Sequence, residues 1–191
     1  MSSYAEQLEA KNYAYIDKLI EGPLLDVAFQ YTLMRLENED MQQEGDFQVP
    51  DTPMVLGDRM MEALLGYLQP RMEEITGKRL YPTYSCLRVY KHGDTLPRHI
   101  DRPACEFSVT LCLGYDADYN WPIKVGDKDN PSALEIKPGD GVVYKGCDLP
   151  HWREAFEGVT HSQVFLHYVD ADGPNAHCKL DGRERLGQLA S

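Results

Sequence analysis

The sequence has no CxxC pair, no apolar run that approaches a membrane span, no cluster of Lys and Arg, and no basic-then-apolar stretch at its start. Each absence removes a class of function. The five cysteines, Cys86, Cys105, Cys112, Cys147 and Cys178, are odd in number and sit mostly within strand-like apolar segments. Neither a disulfide framework nor a structural zinc site fits that pattern, so reduced core thiols are expected. Hydrophobic residues make up 42% of the 191 but are dispersed, and none of their runs nears the ~18 residues of a membrane span. No membrane association is expected. Residues 1–20 carry Glu6, Glu9 and Asp17 where a secretory signal has a basic start and an apolar centre, so the expected location is cytoplasmic.

Positive charge is the scarcer sign. Nineteen basic residues stand against thirty-one acidic ones, a net −12 spread along the chain without a long like-charge run. A phosphate backbone would approach such a protein against a repulsive field, so no nucleic-acid partner is expected. At ~100–200 residues per domain, the length predicts one domain over 1–191, with a small molecule or a peptide as its substrate.

What is present falls into three parts. Residues 1–80 have mainly helical spacing. Ile16, Leu19 and Ile20 fall on one helical face, Gly22-Pro23 breaks the run, and Leu25, Ala28, Phe29, Leu33 and Leu36 resume it before an acidic loop over 37–46. Thr52-Pro53 predicts the start of a further helix, which carries Met61, Leu64, Leu65, Leu68, Met72 and Ile75, ends at Gly77, and is expected to kink near Gln69 because of Pro70. From residue 81 the period becomes two. Leu87 and Val89 alternate with Cys86, Arg88 and Tyr90, and Phe107, Val109, Leu111 and Leu113 alternate with Ser108, Thr110 and Cys112. Further strands are expected at 121–125, 133–136, 141–144 and 161–169, with turns at 127–131 and 138–141.

Each such strand has one apolar and one polar face, and the polar faces must line something wet. Helices followed by many short strands predict an α+β architecture, with N-terminal helices packed on a jelly-roll, cupin-like β core over 81–170. Apolar residues thin out over 171–191, where a C-terminal surface extension is expected.

The chemistry centres on His99 and Asp101. Residues two apart in extended chain point to the same side, so this imidazole and carboxylate converge. His151 follows fifty residues later, after Pro150 and the Pro138-Gly139-Asp140-Gly141 turn. Two histidines and one carboxylate on a β roll, with other coordination positions open, match the facial triad of non-haem Fe(II) oxygenases.

The neighbours strengthen the match. Leu87-Arg-Val-Tyr-Lys-His-Gly-Asp-Thr-Leu-Pro-Arg-His99-Ile-Asp101 is followed by Ser108-Val-Thr-Leu-Cys-Leu113, then by Pro138-Gly-Asp-Gly-Val-Val-Tyr144 and Pro150-His151. This order over residues 81–170 resembles the Fe(II)/2-oxoglutarate-dependent dioxygenases of the prolyl-hydroxylase-like branch. The resemblance implies a double-stranded β-helix, Fe(II) held by His99, Asp101 and His151, and 2-oxoglutarate as co-substrate. It also implies O2-dependent hydroxylation of a second substrate with release of succinate and CO2.

One departure stands out. That family places an Arg or Lys about ten residues after the second histidine to pair with the distal carboxylate of 2-oxoglutarate, a role that suits a cation. Here the position holds His161. Either a protonated His161 with Gln163 takes the carboxylate, or Arg88 or Arg153 reaches it, with Tyr90 as a further hydrogen-bond donor. His167, on the side of His161 and Gln163, is a rival metal ligand or a support to the others. Arg88, Arg98 and Arg102 surround the motif and could receive an acidic substrate. The competing reading is a cupin-like metal isomerase or hydrolase, or a ligand-binding protein, that does not use 2-oxoglutarate.

Overall fold

The computed structural model describes residues 3–188. Its strands form two antiparallel sheets. The larger has the spatial order β1 (Tyr13–Ile16), β8 (Gly141–Lys145), β5 (Phe107–Asp116), β10 (Thr160–Asp170), β3 (Leu80–Lys91), β2 (Met54–Leu56). The smaller runs β4 (Leu96–His99), β9 (His151–Arg153), β6 (Pro122–Gly126), β7 (Pro131–Glu135). Their inner faces meet. Cys112 and Val142 of the larger sheet share one apolar cluster with Ile123 and Val125 of the smaller, and Cys86, Tyr90 and Phe165 share another with Leu96.

The alternation in the sequence decides which side each residue takes. Leu87, Val89, Val109, Leu111, Val164 and Leu166 turn outward from the barrel into a core shared with the helices. Arg88, Tyr90, Ser108, Thr110 and Gln163 occupy the alternate positions, facing the interior, and all are buried. Helix α3 (Arg59–Thr76) lies against β3 and β10, and α2 (Gly22–Glu37) lies against β5. That last approach is close: a Cβ on Gly114 would meet the Phe29 ring at 2.6 Å. The helices therefore back one sheet and leave the other free to form a mouth. No helix among the described residues is long and apolar enough to cross a membrane.

Several boundaries differ from the sequence expectation. Helix α1 (Tyr4–Lys11) starts on a reciprocal capping box between Ser3 and Glu6 and stops at Asn12, which takes the left-handed conformation at φ 61°. Residues 13–16 then form β1, paired with β8, so Ile16 is a strand residue and not part of a helical face. Gly22-Pro23 opens α2 instead of breaking a helix, since proline is suited to a first turn. The Thr52 hydroxyl donates to Asp94 Oδ2 at 2.8 Å and caps nothing; α3 begins later, where Asp58 Oδ1 accepts from the Met60 and Met61 N–H groups at 3.0 Å.

α3 also runs through the exposed Pro70 without ending. An internal proline costs ~3 kcal/mol, but burying each Leu or Met contributes about 1.5–3 kcal/mol, and Leu64, Leu65, Leu68 and Met72 are all buried around it. Of the expected C-terminal extension over 171–191, residues 189–191 lie outside the described residues, and the described part is held to the body of the fold. Arg183 donates to the Thr83 carbonyl at 2.7 Å and pairs with the buried Glu62 at 2.6 Å, and the Gly187 N–H bonds to Glu62 as well, which ties residues 183–187 to β3 and α3.

Candidate metal centre and interior polar chamber

His99 ends β4 and His151 begins β9, and the two are paired across the smaller sheet with ring centroids 4.2 Å apart. Asp101 lies beneath both. Its Oδ1 is 3.4 Å from His99 Nε2 and 3.6 Å from His151 Nε2. The other ring nitrogens are occupied: His99 Nδ1 lies 2.8 Å from the Pro97 carbonyl and His151 Nδ1 lies 2.9 Å from the Leu149 carbonyl. Facing a carbonyl, each Nδ1 carries a proton, which leaves Nε2 as the ring atom a metal would take; without metal, the His99 Nε2 is the one that donates to Asp101. Adjacent ligands ~2.1 Å from one ion are separated by about 3 Å; the two Asp101 contacts are within tenths of an ångström of that, and all three donor atoms lie within 4.8 Å of one another.

Charge on these groups follows from their mutual contacts. Burial pushes the Asp101 carboxyl up, but its hydrogen bond to His99 and the field of His151 outweigh that and hold it below the usual carboxylate range. Burial also opposes a proton on His99, yet the bond to Asp101 raises its affinity. His151 is lowered by burial. The result is one anionic oxygen donor with two nitrogen donors, a set that suits Fe(II) with open positions.

Gly146 is a requirement that no motif signalled. Its carbonyl accepts from the Asp101 N–H at 2.8 Å, and a Cβ there would sit 2.4 Å from Asp101 Oδ2 and 2.3 Å from the Cys105 carbonyl. Only glycine fits beside that carboxylate. A glycine directly after the β8 strand was the one available hint.

His167 stands apart from the other two histidines. Its Nδ1 is 2.8 Å from Ser108 Oγ and its ring lies 4.5 Å from that of Tyr84. It groups with Asp101 and Cys105, the ligand atoms of that set lying within 4.8 Å of one another, as those of His99, Asp101 and His151 do. Asp101 is common to both. Burial lowers His167 to about 4, which leaves it neutral at ordinary pH.

Deeper in the barrel lies a second cluster. Arg153, two residues after His151 and therefore on its side of β9, is buried; its Nη1 donates to the Trp121 carbonyl at 2.8 Å, and Nε and Nη2 have no partner. Gln163 donates to Thr110 Oγ1 at 2.6 Å, but its Oε1 is unpaired, as are the Tyr90 hydroxyl and His161 Nδ1. Each buried polar atom left without a partner costs about 1–3 kcal/mol, so four such residues together mark a place for a polar ligand or ordered water.

His161 is packed among aromatic rings. Its ring lies among Tyr115, Trp121 and Phe156, with centroids 5.3 to 5.7 Å away. Burial, reinforced by the positive charge of Arg153, lowers it well below its ordinary value. An imidazolium is disfavoured there, and the permanent cation of the chamber is Arg153. Arg88 is engaged elsewhere: its guanidinium is salt-bridged to Asp46 at the mouth.

Two connected openings lead in from solvent. A cavity of about 410 Å³ is walled by residues 46–48, Leu56, Tyr84, Arg102 and the C-terminal Asp181 and Arg183, with His99 and Asp101 at its floor. A narrower one of about 100 Å³ shares His99 and Asp101 and continues past His151 to Tyr90 and Leu96. Apart from Arg102, sequence reasoning missed the outer wall, since residues 46–48, Asp181 and Arg183 lie far from the motif and carry no signature of their own.

No protein-family model and no curated protein sequence matches the chain. Solved structures do match. A Pseudomonas putida prolyl-4-hydroxylase superposes with a TM-score of 0.71 at 13% identity, covering 87% of this chain and 97% of that one. A prolyl hydroxylase from Trichoplax adhaerens, solved with a hypoxia-inducible-factor peptide, gives 0.71 at 12% identity over 94% and 91%. The epimerase SnoN, solved with Fe3+, α-ketoglutarate and nogalamycin RO, gives 0.72 at 13% identity over 98% and 94%. With its two facing sheets and helical backing, the chain has the double-stranded β-helix fold of the non-haem iron, 2-oxoglutarate-dependent oxygenases.

Proposed function

We propose that the protein is an Fe(II)- and 2-oxoglutarate-dependent oxygenase that hydroxylates a small molecule or a peptide. His99, Asp101 and His151 hold the iron. Arg153 anchors the distal carboxylate of 2-oxoglutarate, and the Tyr90 hydroxyl completes its hydrogen bonds. Bound together, Fe(II) and 2-oxoglutarate supply a two-electron oxidant from O2, with succinate and CO2 as by-products.

The observation that carries this reading is β9. One three-residue strand supplies His151 to the metal donors and Arg153, with Nε and Nη2 unpaired, to the chamber behind them. A rise of ~3.3 Å per residue sets these two residues ~7 Å apart, the scale of a five-carbon dicarboxylate. The protein's own contribution is placement. The Pro97 and Leu149 carbonyls fix both imidazoles, Gly146 fixes Asp101, and Trp121 and Phe156 keep water from the guanidinium, so its charge acts at full strength on a carboxylate.

Anaerobic titration of the Fe(II)-loaded protein with 2-oxoglutarate tests this, because bidentate chelation produces a metal-to-ligand absorption band. The band is expected in the wild type and at far higher 2-oxoglutarate concentration in Arg153→Met. Absence of the band in the wild type, together with no O2-dependent succinate, would leave a metal isomerase or hydrolase as the reading.

A further inference from the structure

We infer that the substrate oxidised at this site is an uncharged molecule with an apolar face, seated in the 410 Å³ cavity against His99 and Asp101. The inference rests on the metal-centre reading above and adds the substrate class to it. The volume falls within the ~300–1,000 Å³ of small-organic sites.

Apolar surface is concentrated here. Of the seven large hydrophobic side chains that stand exposed among the described residues, Phe47 (94%), Ile100 (56%) and Leu56 (47%) all line this one cavity. Isolated exposed apolar residues are ordinary, but three around one opening next to candidate metal ligands form a contact surface. Ile100 lies between His99 and Asp101 in the chain, so a group resting on it is held at the donors.

The charges around the cavity are already matched. Arg102 makes a two-pronged pair with Asp181, both bonds at 2.7 Å. Arg183 pairs with Glu62 at 2.6 Å, and Asp46 pairs with Arg88. Of the acidic, basic and imidazole side chains lining the cavity, only Asp101 and His99 are outside such a pair, and both are assigned to the metal. A carboxylate or phosphate would have to displace an internal carboxylate from its arginine, and an ammonium would have to displace a guanidinium. Net −12 raises the cost for an anion further. The arginines near the motif, which in sequence look like acid receptors, are thus used for closing the wall. Arg98 is outside it, donating to the Gly126 carbonyl at 3.1 Å.

Three probes with one ring system and different charge test the inference: 2-naphthol, 2-naphthoate and 2-naphthylmethylammonium. Dissociation constants come from naphthalene fluorescence with the metal-free protein, and location comes from broadening of the probe's proton resonances when Mn(II) is loaded. The expected order places 2-naphthol at least about tenfold tighter than 2-naphthoate in the wild type, and at least as much tighter than 2-naphthylmethylammonium in Asp101→Asn, where the metal-free carboxylate is removed, because a charge then loses hydration without gaining a partner. Its resonances broaden with Mn(II), and Phe47→Asp and Ile100→Asp each weaken it several-fold.

Asp181→Asn provides the sharper test. It releases Arg102, so 2-naphthoate is expected to gain several-fold while 2-naphthol is unchanged. Wild-type protein that binds 2-naphthoate as tightly as 2-naphthol overturns the inference, as does 2-naphthol bound without Mn(II) broadening in protein shown to hold Mn(II). Failure of Mn(II) to bind at all defeats the metal-centre reading instead, while the fluorescence ranking still decides the charge class.

Discussion

The larger sheet has strands of 12, 10 and 11 residues in β3, β5 and β10, with β10 paired along both edges and helices over one face. The smaller sheet has no strand longer than five residues, slips register between Leu96 and His99, and among the described residues has no α-helix packed extensively on it. Yet it carries His99, His151 and Arg153. Long strands with two paired neighbours fix a surface by many hydrogen bonds and leave little freedom to aim any one side chain. Short strands beside loops can place a ligand where the chemistry needs it, provided that a rigid sheet stands opposite. The fold thus separates the sheet that carries most of the packing from the one that carries the candidate donors.

The separation can be broken most directly at the metal. His99→Ala, Asp101→Ala and His151→Ala are each expected to weaken Co(II) or Fe(II) binding by about 10³-fold, about 4 kcal/mol, without lowering the melting temperature of the metal-free protein appreciably. Equilibrium dialysis and circular dichroism measure the two quantities. Gly146→Ala should weaken metal by a smaller factor, through Asp101. His167→Ala should retain it. A thiolate-to-Co(II) charge-transfer band that disappears in Cys105→Ser would instead place the metal in the alternative set of Asp101, Cys105 and His167.

The mirror experiment is made in the larger sheet. Leu111 is fully buried between β5 and the helices. Leu111→Ala should cost about 3 kcal/mol in urea unfolding, since it removes a large apolar side chain from a packed core, while the folded fraction binds metal as before. Lost metal affinity in a folded Leu111 variant would show that the two sheets are less independent than their architecture implies.

Within the chamber both sheets contribute, and Arg153 is set against His161. Arg153→Met is expected to weaken 2-oxoglutarate about 100-fold, a little under 3 kcal/mol, and His161→Ala much less. Between pH 6 and 8.5 the wild-type affinity should be flat, because a guanidinium stays charged and the His161 imidazole is held neutral by burial and by Arg153. Affinity that falls as pH rises would return the anchoring role to a protonated His161.

The same contrast explains what could be read in the chain. Alternation over Leu87–Tyr90 and Phe107–Leu113 is visible because long strands repeat a two-residue pattern often enough to be recognised, and it correctly separated the helix-facing side from the interior. His99 and Asp101 stood out because both lie within a run of three residues. Strands of three or four residues hold no period: β1 looked helical, while β4 and β9 were not foreseen. Long-range pairings leave no local trace either. Arg88 with Asp46 and Arg102 with Asp181 are separated by 42 and 79 positions, and without them the arginines near the motif look free. Burial was equally hidden, and it is burial that makes His161 a neutral wall of the chamber.

The smallest expected effect concerns His167, which belongs to the larger sheet but touches the metal side through Asp101. In the folded protein burial lowers it to about 4, against ~6.5 in an unfolded chain. Between those values the unfolded state binds the extra proton and the folded state does not, so stability is complete above pH ~6.5 and declines as pH falls towards 4. From pH 7 to pH 5 that amounts to about 2 kcal/mol from this one group. Urea unfolding of the metal-free protein at both values measures the total, to which His151 and His161, also lowered by burial, contribute in the same direction. His167→Gln isolates its share: the variant should lose about 2 kcal/mol less than the wild type on acidification, whatever its stability at pH 7. An equal loss in both proteins would mean that the Ser108 and Asp101 contacts already allow His167 to be protonated in the folded state, and that this position is wetter and closer in character to the smaller sheet than to the one it belongs to.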